Sequence, residues 1–237
     1  MQRREGTKER MAGTEKIGGV IFDLDGTLLD TLEDIADSAN AALTERGHAV
    51  HPVDAYRYFV GDGAPTLMHR ILPEGARTAT EEAALLVRYK EIYAVRWNIK
   101  TASYAGISGM LAALSARGLR LAVLSNKPHD ATAECVAGFL NDIRFDIVQG
   151  QTAEFPKKPD PTGALAIARR FGVAASDCLY VGDTATDMQT AVRAGMIPVG
   201  ALWGFRTADE LTAHGARRLV SHPSELIALL DDRTLRS

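Results

Sequence analysis

The chain is predicted to fold as an α/β protein, a parallel sheet with helices on both faces. A small all-helical domain is inserted after its first strand. Three observations predict this. Short runs rich in apolar and β-branched residues recur, beginning with Val20-Ile21-Phe22 and continuing at Leu119 to Leu124, Cys178 to Val181 and Ile197 to Leu202. Runs of this kind suit strands buried on both faces. Helical stretches of matching length separate the later runs, which implies right-handed crossovers between parallel strands. Between Leu32 and Ser103, by contrast, no clear strand is legible and helical spacing dominates. The expected organisation is therefore a tail over 1–16, a core domain over 17–31 and 104–237, and a helical cap domain over 32–103.

The elements follow in order. Thr31 stands where a helix cap belongs, and Asp34 three residues on completes a capping-box-like pattern. Leu32, Ile35, Ala36, Ala39, Ala42 and Leu43 then recur at helical spacing up to Gly47. Pro52, Gly61, Gly63 and Pro65 break the pattern between His48 and Pro65. Thr66 to Leu72 reads as a short helix. Thr78 to Asn98 reads as a longer one, with Ala83, Leu86, Val87, Ile92 and Val95 on its apolar side. A helix from Gly109 to Arg117 is expected to stop at Gly118. Strands at Leu119 to Leu124 and Phe145 to Gln149 flank a helix from Asp130 to Leu140. Helices are expected at Thr162 to Phe171, Asp187 to Ala194, Ala208 to His214 and Ser224 to Leu230, with a last strand at Arg218 to Val220.

Composition narrows the class. The 237 residues are 46% apolar and 24% charged, with a formal net charge of −3. That is ordinary for a globular protein and offers no basic field for nucleic acid. No run approaches a membrane span. Cys135 and Cys178 lie far apart, so reduced thiols in a cytoplasmic protein are the simplest account. Met1 to Lys16 is polar, rich in Arg, Lys and Glu, and lacks a signal-peptide apolar segment. It reads as a disordered tail, with Met11 a second candidate start.

The chemistry-bearing residues sit where strands end. Asp23 and Asp25 follow Val20-Ile21-Phe22 directly, and Gly26-Thr27 provides a tight turn after them. Two carboxylates this close repel each other unless a cation or a shared proton offsets the charge. Ser125-Asn126 follows the strand ending at Leu124 and offers a hydroxyl and an amide to a phosphate oxygen. Lys158, set between Lys157 and Pro159, is a point charge in a stiff segment. Lys157 is read as its solvated neighbour. Leu179-Tyr180-Val181-Gly182 delivers Asp183 to the same sheet edge, and Asp187 follows at a helix start. Asp23, Asp25 and Asp183 supply the oxygen ligands that a small hard cation prefers, which fits magnesium better than zinc.

These stretches, in this order, resemble the four motifs of the haloacid dehalogenase-like hydrolases, over roughly Gly19 to Leu230. The resemblance implies a Rossmann-like core and a helical cap. It implies that Asp23 is the nucleophile forming an aspartyl-phosphate. Asp25 is the acid and later the base, its backbone carbonyl reaching the metal. Ser125 and Lys158 hold phosphate with Asn126 beside them, and Thr27 joins the substrate-binding set. Asp183 is the third metal ligand, and Asp187 supports the metal or Lys158.

Two further stretches, Phe59 to Leu67 and Val199 to Phe205, resemble the phosphoglycolate phosphatase subgroup, although Tyr104-Ala105-Gly106 departs from it where proline often precedes the glycine. Asp25 argues against a dehalogenase. A β-phosphoglucomutase-like mutase, a pyrophosphatase and a sugar or nucleotide phosphatase remain open. A non-enzymatic binding protein is disfavoured because Asp23, Asp25, Lys158 and Asp183 are all present. Gly61, Asp62 and Gly63 are expected to wrap backbone N–H groups around a substrate carboxylate, with Arg57 or Arg70 assisting. The expected partner is a small phosphorylated metabolite, with neither nucleic acid nor membrane, for a monomer or homodimer.

Overall fold

A computed structural model describes residues 16–232 and 234–235. The expected tail lies outside them apart from Lys16.

In chain order, β1 (Gly19–Phe22) and the two-residue β2 (Leu29–Asp30) lead into four helices, α1 (Leu32–Glu45), α2 (Tyr56–Phe59), α3 (Ala64–Ile71) and α4 (Ala79–Tyr93). β3 (Ala102–Ser103) returns the chain to the sheet side. There α5 (Ile107–Ala116), β4 (Arg120–Pro128), α6 (His129–Phe139), β5 (Ile147–Gln151) and α7 (Thr162–Phe171) follow. The chain then runs through β6 (Cys178–Gly182), α8 (Ala185–Ala194), β7 (Ile197–Ala201), α9 (Ala208–Ala213), β8 (Arg218–Val220) and α10 (Glu225–Leu229).

Six strands form one sheet in the order β5-β4-β1-β6-β7-β8, every neighbouring pair parallel. Alternation along β1 explains why helices cover both faces. Val20 and Phe22 pack with Leu111 and Leu114 of α5 and Val136 of α6. Ile21 points the other way, into a cluster with Ile167 and Phe171 of α7 and Ala191 of α8. No helix among the described residues is long and apolar enough to cross a membrane.

The helical insert has its own apolar cluster, built from Ile35, Leu43, Tyr56, Met68 and Leu85 among others, with Phe205 reaching into it from the far side of the chain. Three expectations for this region need correction. The apolar side of α4 is Leu85, Tyr89 and Ile92, whereas Ala83, Val87 and Val95 are exposed. The alternative stripe won because α1 and α3 pack against it. The capping box at Thr31 does not form, and the Thr31 hydroxyl is buried without a partner. Asp34 instead accepts hydrogen bonds from the Lys100 and Thr101 backbone N–H groups and from the Thr101 hydroxyl. Those donors lie at the return crossing, and binding them ties the two ends of the insert together. Finally, β3 is a short strand inside the supposedly strand-free stretch, paired antiparallel with β2.

Candidate active site

Sheet register brings the site together. Phe22 pairs with Val123 on one side and Val181 on the other. The residues just past these pairs, Asp23, Ser125 and Asp183, therefore share one edge of the sheet. This is the carboxyl edge, where open α/β sheets bind ligands.

The buried centre is a set of carboxylates around one ammonium. Lys158 Nζ lies 2.7 Å from Asp23 Oδ1 and 2.7 Å from Asp187 Oδ1. Asp187 Oδ2 accepts from the Thr184 hydroxyl and backbone N–H, which form a capping box at the start of α8. Asp187 thus positions Lys158 and closes a helix with the same side chain. Asp183 is fully buried, accepting from the Thr27 hydroxyl at 2.7 Å and the Phe205 N–H at 2.9 Å. Thr27, expected to bind substrate, is committed to Asp183 and does not line the cavity.

Crowding shows in the proton affinities. Burial, and then the Asp187 charge, push Asp23 well above the ordinary carboxylate value against the pull of Lys158. The same two causes raise Asp183 to about 7. Burial disfavours the Lys158 ammonium, but Asp187 and Asp23 outweigh it and hold the group charged.

Glycines seal one side of this cluster. Gly26 has φ +88°, and a Cβ there would fall 2.3 Å from Asp183 Oδ2. A Cβ on Gly204 would fall 2.3 Å from Asp183 Cβ, and one on Gly182 would fall 2.3 Å from Asp187 Cβ.

Asp23, Asp183 and Asp187 each offer an oxygen within 4.8 Å of the others. Three carboxylates against one lysine leave excess negative charge, and the donors are all oxygen. A hard cation fits this set. The Asp25 carboxylate is not part of it, because it lies 3.3 Å from Lys127 Nζ instead.

Above the edge lies a cavity of about 450 Å³. Asp23, Asp25, Ser125, Asn126 and Lys127 form its core side, and Gly61, Gly63, Leu67, Tyr89, Tyr93 and Trp97 belong to its insert side. The Asn126 side chain connects the two. Its Oδ1 accepts from the Lys158 N–H at 2.6 Å, and its Nδ2 donates to Gly61 O at 3.0 Å.

The remaining expectations fare unevenly. Gly61 and Gly63 line the cavity, but Asp62 does not. The Asp62 carboxylate is held by Arg70 at 2.5 Å and by the Thr186 hydroxyl at 2.7 Å. Arg57 donates to Gly204 O and Asp54, so both arginines are engaged within the protein and neither lines the cavity. Lys157 is exposed as expected, yet it donates to Asp62 O and to the Thr66 hydroxyl.

One residue was missed outright. Lys127 lines the cavity with its side chain only 7% exposed. Burial works against its ammonium, and Asp25 and Tyr93 more than offset that, raising its proton affinity well above the ordinary value. The available signal was its place directly after Ser125-Asn126, at the end of a strand that points at the site.

Comparison with known proteins gives a consistent result. The family model of the haloacid dehalogenase-like hydrolases matches residues 17–195. A phosphoglycolate phosphatase of Pseudomonas syringae pv. tomato is 32% identical over 216 residues, covering 88% of this chain and 78% of that protein. A phosphoglycolate phosphatase of Rhodospirillum rubrum is 36% identical over 195 residues, covering 78% and 80%. Among solved structures, a protein from Lactobacillus delbrueckii subsp. bulgaricus superimposes with a TM-score of 0.86 at 30% identity, covering 91% of this chain and 98% of that one. A predicted phosphoglycolate phosphatase from Haemophilus somnus superimposes with a TM-score of 0.83 at 25% identity, covering 91% and 98%.

Proposed function

The chain belongs to the haloacid dehalogenase-like hydrolases, and on that footing we propose that it is a magnesium-dependent phosphatase of small phosphomonoesters, with phosphoglycolate as its substrate. The observation that carries the reading is the buried Lys158 shared between Asp23 and Asp187, with Asp183 beside them and a cavity in front. The substrate rests on the relatives' own activity.

In this reading an Asp23 carboxylate oxygen attacks phosphorus and the bond to the ester oxygen breaks. Asp25 gives its proton to the departing oxygen. Asp25 then takes a proton from water, whose oxygen attacks the phosphorus of the aspartyl-phosphate and releases inorganic phosphate with Asp23 restored. Splitting the displacement into two in-line steps suits an enzyme whose main task is alignment and charge balance. Lys158 neutralises charge on the transferring group, the Ser125 hydroxyl and Asn126 border its position, and Asp187 keeps Lys158 in place. Magnesium, held by Asp23, Asp183 and the Asp25 carbonyl with Asp187 nearby, would supply Lewis-acid charge to the phosphoryl oxygens. The helical insert acts as a cap that excludes bulk water. Two buried free cysteines accord with a cytoplasmic setting.

The test is phosphate release with magnesium from phosphoglycolate, sugar phosphates, nucleoside monophosphates and pyrophosphate, ranked by kcat/KM. Phosphoglycolate should lead. A sugar phosphate in first place would overturn the substrate, transfer to a second hydroxyl would make the protein a mutase, and no release from any would overturn the phosphatase reading.

A further inference from the structure

The reaction outlined above leaves one buried charge on the cavity wall without a task. Lys127 Nζ donates to the Tyr93 hydroxyl at 2.7 Å, lies 3.3 Å from Asp25 Oδ1, and stands 4.7 Å from the Tyr93 ring centre. No third acceptor for Nζ occurs among the described residues. The same cavity is lined by Leu67, Tyr89 and Trp97 on its insert side and by Asp130, Glu134 and Cys135 on its core side, and burial alone disfavours an ammonium there. The other lining cation, Lys90, is exposed. Arg57 and Arg70 are held by Asp54, Gly204, Phe59 and Asp62.

Placement gives Lys127 its meaning. Asp25 is the group that must touch the ester oxygen, and Nζ sits beside the Asp25 carboxylate. Whatever is joined to the ester oxygen through one or two carbons therefore arrives within reach of Nζ. We propose that Lys127 forms an anion subsite for the leaving group, which selects phosphomonoesters of small hydroxy acids. A carboxylate one or two carbons from the ester oxygen takes the free N–H of Nζ, and the Tyr93 hydroxyl, which accepts from Nζ, keeps its own proton for a second hydrogen bond. Charge-assisted bonds of this kind gain strength away from water. The subsite rests on the phosphatase reading and adds one core residue to the selectivity expected of the Gly61 to Gly63 loop.

The experiment compares phosphoglycolate with its carboxamide analogue, which has the same size and lacks only the charge. An alkyl ester is needed on both arms, since an activated aryl leaving group would conceal effects on Asp25. Wild-type protein should prefer the carboxylate by about 100-fold in kcat/KM, the scale of one hydrogen bond to a charged group. Lys127→Gln should reduce that preference to within about 5-fold, and Lys127→Arg should retain most of it. A Lys127→Gln variant that slows both esters equally, with preference intact, overturns the subsite and makes Lys127 a positioning residue for Asp25. If that variant does not fold, wild type and Lys127→Arg decide, because absence of a wild-type preference overturns the proposal alone. Phosphate release from p-nitrophenyl phosphate is the separate arm for the phosphatase reading. Its absence sinks that reading, and its presence without carboxylate preference sinks the subsite.

Discussion

The two halves of the cavity are built on opposite principles. On the sheet side nearly every polar atom is buried and spoken for. Asp183 receives two hydrogen bonds, Asp187 closes a helix while holding Lys158, and Asn126 holds Lys158 by its backbone. On the insert side the wall is chiefly aromatic and aliphatic, and the polar groups nearby serve as clasps between the halves. Asp62 engages Thr186, Lys157 engages Thr66, and Arg206 engages Val60 O. A pre-organised charged centre suits a step common to all phosphate esters. A wall of rings and aliphatic groups discriminates by shape.

That division can be broken most forcefully at Asp23. Asp23→Asn keeps the shape and removes the charge proposed to attack phosphorus, so turnover should fall by more than about 10⁴-fold with the melting temperature little lowered. Steady-state kinetics on protein freed of wild-type contamination checks this. Substantial turnover in the folded variant would move the nucleophile elsewhere.

The next effect links metal to pH. Asp183 is raised from the ordinary 3.8 to about 7, chiefly by burial. A carboxylate raised in the folded state favours folding while protonated. Its contribution is complete below about pH 4 and is lost as pH rises through about 7. Chelator-treated protein should therefore lose thermal stability between pH 5 and pH 8 through this group. A divalent cation needs the ionised form, so magnesium should raise the melting temperature more at pH 8 than at pH 5. Scanning calorimetry with and without metal decides it, and an equal or larger gain at pH 5 would contradict it.

A smaller effect belongs to the insert loop. Gly61 and Gly63 have φ of +123° and +83°, and a Cβ on either would meet its nearest atom only at 3.4 Å. Alanine would therefore disturb the backbone more than the packing. The double alanine variant should lower kcat/KM for the best substrate by about 10-fold and that for a small aryl phosphate by less, because only the former spends binding energy on the insert. Equal losses would make the loop a closure element.

The smallest effect is at the insert's outer surface. Glu81 binds Arg46 at 2.5 Å and His48 at 2.9 Å, all partly exposed. Glu81→Gln should cost less than about 1 kcal/mol in a denaturant melt and leave kcat unchanged, as expected for solvent-screened pairs. A large loss of kcat would mean that the insert's surface helps set the chemistry.

The sheet was legible in the sequence because buried parallel strands advertise themselves as apolar runs, and residues just beyond them must lie on one edge. The shared edge of Asp23, Ser125 and Asp183 followed from that geometry, and their expected roles from the motif resemblance. The insert was less legible. Two apolar stripes compete on α4, and the partner helices select the one containing Tyr89, whose hydroxyl disguises it as a boundary residue. Asp34 has a plausible local partner in Thr31, but three donors at Lys100 and Thr101, distant in sequence, outcompete it. Lys127 was hidden for a related reason. Its worth comes from Asp25 and from Tyr93 of α4, and no local pattern reports such a meeting.

The glycines around Asp183 and Asp187 have a consequence for how this protein can change over generations. At Gly26, Gly182 and Gly204 any side chain would intrude on the carboxylate cluster, so even the smallest substitution is damaging there whatever its polarity. The rings and aliphatic groups of the insert carry no comparable prohibition. Random mutation is thus channelled: variants at the sealed side of the cluster lose the carboxylate arrangement, while the opposite wall has more room to vary. Substrate preference can drift step by step through active intermediates, while the phosphoryl chemistry stays as inherited.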